Sequence, residues 1–263
     1  DLVVNLTEGD RGAIAARISG ALYRVGPEGK KKSSYTHIVK KCHPPRHTVE
    51  RKLDSVRRMG IFPNEDDREL FFSIPESAEA RMRTMLGETQ DFILIHPTSR
   101  WLFKCWPTDR VAALIEALHA KGYRMVLSSG PDKAEMGKIA EILQTVPHIP
   151  LCNVAGKISL KELGALIQMS RCLFCVDSVP LHIASALKSP AVALFGPSSE
   201  VNWGPWKNPK ARILAQNFSC RPCHLDGCGG SKVSDCLYTI PVHAVLQAVE
   251  ECCQPVSSLK VLV

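Results

Sequence analysis

The sequence lacks the features of several large protein classes. None of its apolar runs approaches the roughly 18 residues that a membrane-spanning helix requires, although apolar residues make up 45% of the chain. Neither GxGxxG nor GxxxxGK(S/T) occurs, which argues against a dinucleotide oxidoreductase and against a P-loop NTPase. Aromatic residues are only 6%, and no nucleic-acid recognition motif is present. We therefore expect a soluble, cytoplasmic protein that binds no nucleic acid.

The first residues lack the marks of a secreted or newly initiated chain. The sequence begins at Asp1 rather than at Met, and DLVVNL has no basic segment ahead of an apolar one, as a secretory leader would. The run is typical of a buried strand entered in the middle of a fold. We therefore expect the natural N-terminus to lie upstream of residue 1.

Cysteine is abundant, but not in the context of a secreted disulfide scaffold. Eleven cysteines occur among 263 residues rich in Val, Ile, Leu and Ala, whereas such scaffolds are short and poor in core residues. A reducing cytosol fits this composition. A C-x2-C-x4-C-x7-C pattern comprises Cys220, Cys223, Cys228 and Cys236. Four thiolates could hold a structural zinc; free thiols, or a disulfide formed on oxidation, are the alternatives.

Positive charge is in excess, at +7, and clusters early in the chain. This bias favours anionic partners, and a phosphorylated glycolipid or an anionic membrane face suits it better than nucleic acid. The alternative is a solvated basic loop, because blocks of like charge are often just that. The residues concerned are Lys30–Lys32, His37, Lys40–Lys41, His43, Arg46 and His47.

The order of apolar and amphipathic segments predicts the fold class. From Asp91 onward, apolar runs such as FILIH, RCLFCV and AVALF alternate with segments of helical period, which is typical of α/β proteins with a parallel sheet between helices. The runs are apolar throughout, as strands covered on both faces should be. Before Asp91, DLVVNL, YRVG and the amphipathic HTVERKLDSVRRMG indicate part of another α/β layer. We therefore predict two domains facing a cleft, with residues 1–88 containing the first and the connection, and 89–263 the second.

Polar residues that follow predicted strands are candidate ligand contacts, because the carboxyl ends of parallel strands form the binding edge of such folds. After FILIH come the hydroxyls of Thr98 and Ser99, then Arg100 and Lys104, ahead of a helix that begins near Thr108. Hydroxyls, backbone donors and a lysine at a helix start suit a diphosphate. The alternative is an ordinary β-α loop with solvated basic side chains.

A second group follows RCLFCV, where Asp177 ends the strand, Ser178 lies in the turn and His182 lies one turn into the next helix. An acid, a hydroxyl and a helix N-terminus at one point indicate an anion or sugar site. Alternatively, Asp177 and Ser178 cap the helix, and His182, beside Leu181 and Ile183, is a packed residue.

A third group, from Gly196 to Ser199, follows AVALF, and its glycine allows close backbone approach at the same edge. With these groups, the motifs HPTSRWLFKCWP, SSGPDK, AGKISLKELGALI, VDSVPLHIASAL, LFGPSSEVNWGPW, DLVVNL and HTVERKLD resemble glycosyltransferase family nine, the lipopolysaccharide core heptosyltransferases. Within the family, the sequence is most similar to the enzymes that add a branch heptose. The resemblance spans nearly the whole chain and implies a GT-B architecture of two Rossmann-like, doubly wound domains, the first of them incomplete here.

The resemblance also implies a donor, an acceptor and roles for single residues. The second domain would bind ADP-heptose, and a hydroxyl of the phosphorylated inner core of lipopolysaccharide would attack it with inversion. Lys104 would neutralise the diphosphate, Ile158 would pack against adenine, and Asp132 or Glu135 would meet the ribose. The positions implied near the phosphates and the sugar are Thr98, Ser99, Asp177, Ser178, Val179, Pro180 and His182. No cofactor is required in this chemistry, because a lysine and helix dipoles can hold the diphosphate charge.

The catalytic base of the resembled family lies in a loop after the first N-terminal strand, which we expect upstream of Asp1, so no acid of this sequence is assigned that role. The leading hypothesis is an inverting heptosyltransferase. Its rivals are another GT-B enzyme, such as a sugar-nucleotide epimerase or a phosphorylase, and a non-catalytic nucleotide-sugar-binding fragment. Because a lipid-anchored acceptor requires a peripheral surface, we also expect the basic cluster to contact the cytoplasmic face of the inner membrane.

Overall fold

A computed structural model gives the structure of residues 1–29 and 31–254 and divides the chain into two compact units. The first runs from Asp1 to Glu69 and the second from Leu70 onward. Lys30, which belongs to the predicted basic cluster, lies outside the described residues. Among the helices described, none has the length and apolarity needed to cross a membrane.

The first unit is a small α/β layer. Its elements, in chain order, are β1 (Leu2–Val4), α1 (Asp10–Ile18), β2 (Tyr23–Pro27), β3 (His37–Val39) and α2 (Thr48–Arg57). The strands pair in parallel in the order β1, β2, β3. A core of Ala13, Ala16 and Tyr35 lies between α1 and the sheet, with Val3 and Ile38 packed against it.

The second unit is a larger parallel sheet with helices on both faces. Its elements are α3 (Glu76–Leu86), β4 (Phe92–His96), α4 (Thr108–Ala120), β5 (Arg124–Leu127), α5 (Lys133–Thr145), β6 (Cys152–Asn153), α6 (Leu160–Met169), β7 (Cys172–Val176), α7 (Val179–Leu187), β8 (Ala191–Phe195), α8 (Glu200–Trp203), β9 (Ala211–Ala215), α9 (Asp235–Tyr238) and α10 (Val242–Cys253). The strands are ordered β6, β5, β4, β7, β8, β9. This is the order of the doubly wound dinucleotide-binding fold, in which the sequence order reverses between β4 and β7. The predicted fold class, an α/β protein with parallel sheets, is confirmed.

Burial on both faces explains why the strands of the second unit are apolar throughout. Successive side chains of a strand point to opposite faces, so Ile93 and Ile95 enter the core under α4, α5 and α10. Phe92 and Leu94 enter the core under α3, α6 and α7. Every residue of β4, β7 and β8 is buried, which leaves the strand ends as the places where polar side chains can serve a ligand.

Residues 70–88 pack onto α6 of the second unit. The ring of Phe72 lies against Gly164, where a β-carbon would come within 2.5 Å of it, and Nζ of Lys161 lies 4.5 Å from the ring centroid. Arg81 of α3 forms an ion pair with Glu162. The sequence pattern predicted a domain boundary after residue 88, whereas contacts between residues far apart in the chain join residues 70–88 to the second unit. The roles predicted for the two domains stay predictions.

Candidate functional site

The loop after β4 is held by hydrogen bonds to α5 and within the loop itself. The Thr98 hydroxyl, on a residue that is 1% exposed, donates to Oε2 of Glu135 at 2.6 Å. The Ser99 hydroxyl accepts the backbone N–H of Trp101 at 3.3 Å. Of the two hydroxyls that were predicted near the diphosphate, that of Thr98 therefore ties the loop to α5, and that of Ser99 shapes the loop from within. Lys104, at the end of the loop, extends toward β7.

A buried thiol closes the same loop. The Cys105 Sγ accepts the backbone N–H of Ser99 at 3.3 Å and donates to the carbonyl oxygen of Ser99 at 3.7 Å. Burial raises the pKa of the Cys105 thiol to about 11, so the thiol stays protonated and can serve both partners. Sequence reasoning missed this residue, because a cysteine among apolar neighbours resembles an ordinary core residue.

Lys104 meets Asp177 where the strand order reverses, between β4 and β7. The Lys104 Nζ donates to Oδ2 of Asp177 at 2.8 Å, and the two side chains are 23% and 5% exposed. The pair joins two residues that the sequence assigned to separate loops. Because open α/β sheets bind ligands at such a reversal, the structure holds an accessible cation at the expected binding position.

The N-terminus of α7 lies directly beside this ion pair, and no side chain caps it. The Ser178 hydroxyl donates to the carbonyl oxygen of Val176 at 3.2 Å, and Asp177 holds Lys104, so the alternative that these two residues merely cap the helix is wrong. Val179 is exposed, whereas Pro180 is buried. The positive end of this helix is thus available to an anion.

His182 lies one turn into α7 and is half-buried. Its ring centroid is 6.3 Å from that of Trp203, with the two planes tilted by 60°. Trp203 ends α8, which follows β8, so the contact joins two neighbouring strand ends. Sequence reasoning singled out His182 but not Trp203, for which NWGPW offered no chemical pattern of its own.

The two residues predicted to meet a ribose differ in their surroundings. Asp132 is exposed and caps α5, accepting the backbone N–H of Ala134 at 2.9 Å. Glu135 is buried, in the first turn of the same helix, and its carboxylate accepts the Thr98 hydroxyl. Of the two, Asp132 is the more accessible, and Glu135 supports the loop that carries Lys104.

A buried histidine ends β4, beside the loop. The His96 Nδ1 lies 3.0 Å from Oγ of Ser128, which follows β5. Burial lowers the pKa of His96 to about 4, so the ring is neutral at physiological pH. Sequence reasoning missed the pair, although FILIH and MVLSS both place a polar residue at a strand end.

Ile158 follows β6 at the outer end of the same edge and is half-buried against the core beneath α6. The next residue, Ser159, caps the N-terminus of α6 in a capping box: its backbone N–H donates to Oε2 of Glu162 at 2.6 Å, and its hydroxyl accepts the backbone N–H of Glu162 at 3.4 Å. This reciprocal capping fixes the start of the helix and so the position of the apolar side chain ahead of it.

The residues from Gly196 to Ser199 are buried, and their approach to a ligand stays a prediction. A β-carbon on Gly196 would lie 2.6 Å from Cγ of Leu237 in α9. The glycine allows α9 to pack closely, and Ser199 caps α8, its hydroxyl accepting the N–H of Asn202 at 3.3 Å.

The four-cysteine loop shows no arrangement for zinc. Within residues 1–29 and 31–254, no group of three or more His, Cys, Asp or Glu side chains could hold a metal ion, and the cysteines there are free. The loop is anchored instead by Arg221, whose guanidinium donates to the carbonyl oxygens of Gly196 and Gln216 at 2.6 and 2.9 Å. Burial raises the pKa of the Cys236 thiol, as expected of a packed thiol.

The first unit carries a separate, basic groove of about 930 Å³. Asp54 is already engaged by Arg46 and by Nη1 of Arg57, the latter at 2.8 Å. Lys40 and Lys41 are exposed and form no ion pair with the acidic side chains described. The lining comprises Glu28, Lys32, Thr36, Ile38, Val39, Lys40, Lys41, Cys42, Arg46, Asp54, Arg57 and Arg58. Six basic and two acidic side chains in this lining give the groove a net positive charge suited to anions.

Comparison with known proteins gives consistent matches. Residues 1–233 match the pattern of glycosyltransferase family 9 (heptosyltransferase). The chain is 35% identical over 231 residues to lipopolysaccharide heptosyltransferase 3 of Escherichia coli, covering 84% of this chain and 67% of that protein. It is 34% identical over 260 residues to the protein of the same name from Escherichia coli strain K12, covering 95% of this chain and 74% of that protein.

The fold also resembles solved structures. The structure described as E. coli ADP-heptose lps heptosyltransferase II superposes with a TM-score of 0.74, covering 96% of this chain and 75% of that chain. Because the two sequences are 21% identical, this likeness concerns the fold. It agrees with the GT-B class predicted from the sequence.

Proposed function

The chain belongs to glycosyltransferase family 9, the heptosyltransferases, and from this we propose that its second unit binds ADP-heptose and that the protein transfers the heptose to the inner core of lipopolysaccharide. The observation that carries the proposal is the Lys104–Asp177 pair at the reversal of the sheet, 2.8 Å between Nζ and Oδ2. A cation with accessible surface, beside an uncapped helix N-terminus, suits a diphosphate.

The strand ends suggest how the nucleotide lies. Ile158, after β6, offers an apolar surface to adenine, and Asp132, after β5, offers an exposed carboxylate to the ribose hydroxyls. Lys104 follows β4 and Asp177 follows β7, so the diphosphate would lie between them. Asp177 uses one carboxylate oxygen to orient Lys104, and its other oxygen could accept a hydroxyl of the sugar.

The same groups suit the chemistry of transfer. When the acceptor hydroxyl attacks the anomeric carbon and the bond to the diphosphate breaks, negative charge grows on the departing ADP. Lys104 and the positive end of α7 would stabilise that charge in a site whose groups are held before the reaction begins. The acceptor hydroxyl must lose its proton to a base, and our prediction assigns that role to none of the residues in this sequence.

For the acceptor side, we propose that the basic groove of the first unit takes phosphate groups of the inner core. Lys40 and Lys41 are exposed and lie beside Arg58, whose Nε is held by the carbonyl oxygen of Ile38 at 3.1 Å. The same charge would favour contact with the cytoplasmic face of the inner membrane, where anionic lipids attract basic surfaces. Transfer rates with phosphorylated and dephosphorylated acceptor, and sedimentation with anionic vesicles, test the two parts separately.

Two alternative functions of the site can be distinguished from the proposed transferase. Family membership favours the transferase over a sugar-nucleotide epimerase, because the family is one of glycosyl transfer. A non-catalytic nucleotide-sugar-binding fragment would bind the donor equally well. Release of ADP from ADP-heptose that depends on added acceptor separates the transferase from both.

Calorimetric titration with ADP, UDP and GDP tests the donor site directly. We expect selective binding of ADP, weakened at least tenfold, about 1.4 kcal/mol, by Lys104→Ala, and weakened also by Asp177→Ala. Lys121→Ala is the matched control, because Lys121 directly follows α4 and pairs with Glu250 at 2.7 Å, away from the carboxyl ends of the strands. Equal binding of all three nucleotides, or unchanged ADP affinity in a folded Lys104→Ala variant, would refute the assignment.

A further inference from the structure

The loop after β8 presents one large aromatic surface at the binding edge. Its hydroxyl residues Ser198 and Ser199 are buried, whereas Trp203 is 40% exposed. Trp203 is the last residue of α8, and Gly204 follows it. A β-carbon added to Gly204 would lie 2.5 Å from the carbonyl oxygen of Glu200. The absence of a side chain at Gly204 thus allows the chain after Trp203 to pass close to the backbone of α8.

The indole of Trp203 packs against α7, the helix that begins beside the Lys104–Asp177 ion pair. Trp203 and His182 lie with ring centroids 6.3 Å apart and planes tilted by 60°, a favourable geometry for two aromatic rings. His182 is one turn into α7, which starts directly after Asp177 and Ser178. A ring held in this way can receive a ligand with little further loss of side-chain entropy.

The order of the strands says which part of a nucleotide-sugar would arrive at Trp203. Along the edge, the sheet runs β6, β5, β4, β7, β8. The proposed adenine contact Ile158 follows β6, and the proposed diphosphate contacts Lys104 and Asp177 follow β4 and β7. A sugar attached beyond the diphosphate would therefore lie toward β8, where Trp203 is.

We infer that Trp203 is a specificity-determining residue whose ring packs against the C–H face of the donor sugar. The inference rests on the proposed function. A sugar ring carries its hydroxyls around its rim, which leaves a weakly polar C–H surface that gains from leaving water against an aromatic face. The neighbouring groups Lys104, Asp177 and the N-terminus of α7 would take the charged diphosphate, so Trp203 would distinguish the sugar rather than the nucleotide.

Binding of two ligands that differ only in the sugar tests the inference. With the full chain, Trp203→Ala should lower the affinity for ADP-heptose about tenfold while changing the affinity for ADP less than about twofold; a factor of ten corresponds to about 1.4 kcal/mol. Trp203→Phe should keep most of the ADP-heptose affinity, because an aromatic face remains. Phe71→Ala is the matched control, since Phe71 is an aromatic residue of the same unit that is 89% exposed and lies outside the strand-end loops.

The outcomes separate this inference from the donor assignment. Equal losses for ADP and ADP-heptose in Trp203→Ala, or no loss for either while the wild type binds both, would overturn the role of Trp203 and leave the donor site standing. Failure of the wild type to bind ADP would overturn the donor site and, with it, the inference. If Trp203→Ala unfolds, the Trp203→Phe and Trp203→Leu pair decides, because only the leucine variant should lose the preference for ADP-heptose over ADP.

Discussion

Replacement of Lys104 by Met is expected to destabilise the second unit by about 3 kcal/mol, because it strands a buried carboxylate. Asp177 is 5% exposed, and its Oδ2 loses the ammonium group that lies 2.8 Å away. Breaking a buried ion pair by removing one partner costs about 3–5 kcal/mol. We expect the lower end of this range, because the Lys104 side chain is 23% exposed and water can partly replace its ammonium group beside Asp177.

Substitution of the acidic partner, Asp177, should destabilise the second unit less than substitution of Lys104. Asp177→Asn leaves Lys104 with an amide oxygen as acceptor and with access to water, so we expect a loss of about 1 kcal/mol. The double variant Lys104→Met/Asp177→Asn should lose less than the sum of the single changes, because the cost of an unpaired buried charge disappears with the charge. Urea unfolding at neutral pH, analysed as a double-mutant cycle, measures this coupling.

The ion pair of Lys121 with Glu250 supplies the comparison. Its atoms are as close, at 2.7 Å, but the side chains are 46% and 29% exposed, so Lys121→Met should cost no more than about 0.5 kcal/mol. Equal costs for Lys104→Met and Asp177→Asn, adding without coupling, would refute the argument that burial of the carboxylate dominates.

Three further predictions concern residues packed beneath the strand ends. Burial lowers the pKa of His96 from 6.5 to about 4, so between these pH values the unfolded chain binds a proton that the folded chain does not. The free energy of unfolding should therefore fall as pH drops from 6.5 to 4, by up to about 3 kcal/mol. In urea unfolding at a series of pH values, His96→Gln should flatten this part of the stability curve, and an unchanged slope would contradict the prediction. Thr98→Val should cost about 2 kcal/mol, because Glu135 loses its buried donor, as measured by urea unfolding. Gly196→Ala should cost about 2 kcal/mol by overpacking against Leu237, and Leu237→Ala should partly relieve it in the double variant; strict additivity of the two unfolding free energies would exclude the contact as the cause.

The threonine prediction has a matched control in the same unit. Thr84 of α3 donates to the carbonyl oxygen of Ala80 at 3.1 Å but is exposed. Thr84→Val should therefore change stability by no more than about 0.5 kcal/mol. A loss in Thr84→Val equal to that in Thr98→Val would mean that the hydroxyl alone, rather than the buried carboxylate beneath it, sets the cost.

Local patterns were sufficient for the elements and for the edge on which the candidate site lies. FILIH, RCLFCV and AVALF are apolar at every position because helices cover both faces of the sheet, and this pattern is visible without any knowledge of which strands are neighbours. Parallel strands put their carboxyl ends on one edge, so residues that follow these runs could be predicted as candidates. Thr98, Lys104, Asp177 and His182 were found in this way.

Tertiary packing decided what each of those residues does. Lys104 and Asp177 are 73 residues apart and meet because β7 pairs with β4. Local periodicity does not predict which strands pair. The same packing turned Thr98 inward to Glu135. The side chains at the strand ends could thus be predicted from the sequence, because periodicity is a local property. Strand order, burial and side-chain pairing depend on contacts between distant segments, so only the tertiary structure determined them.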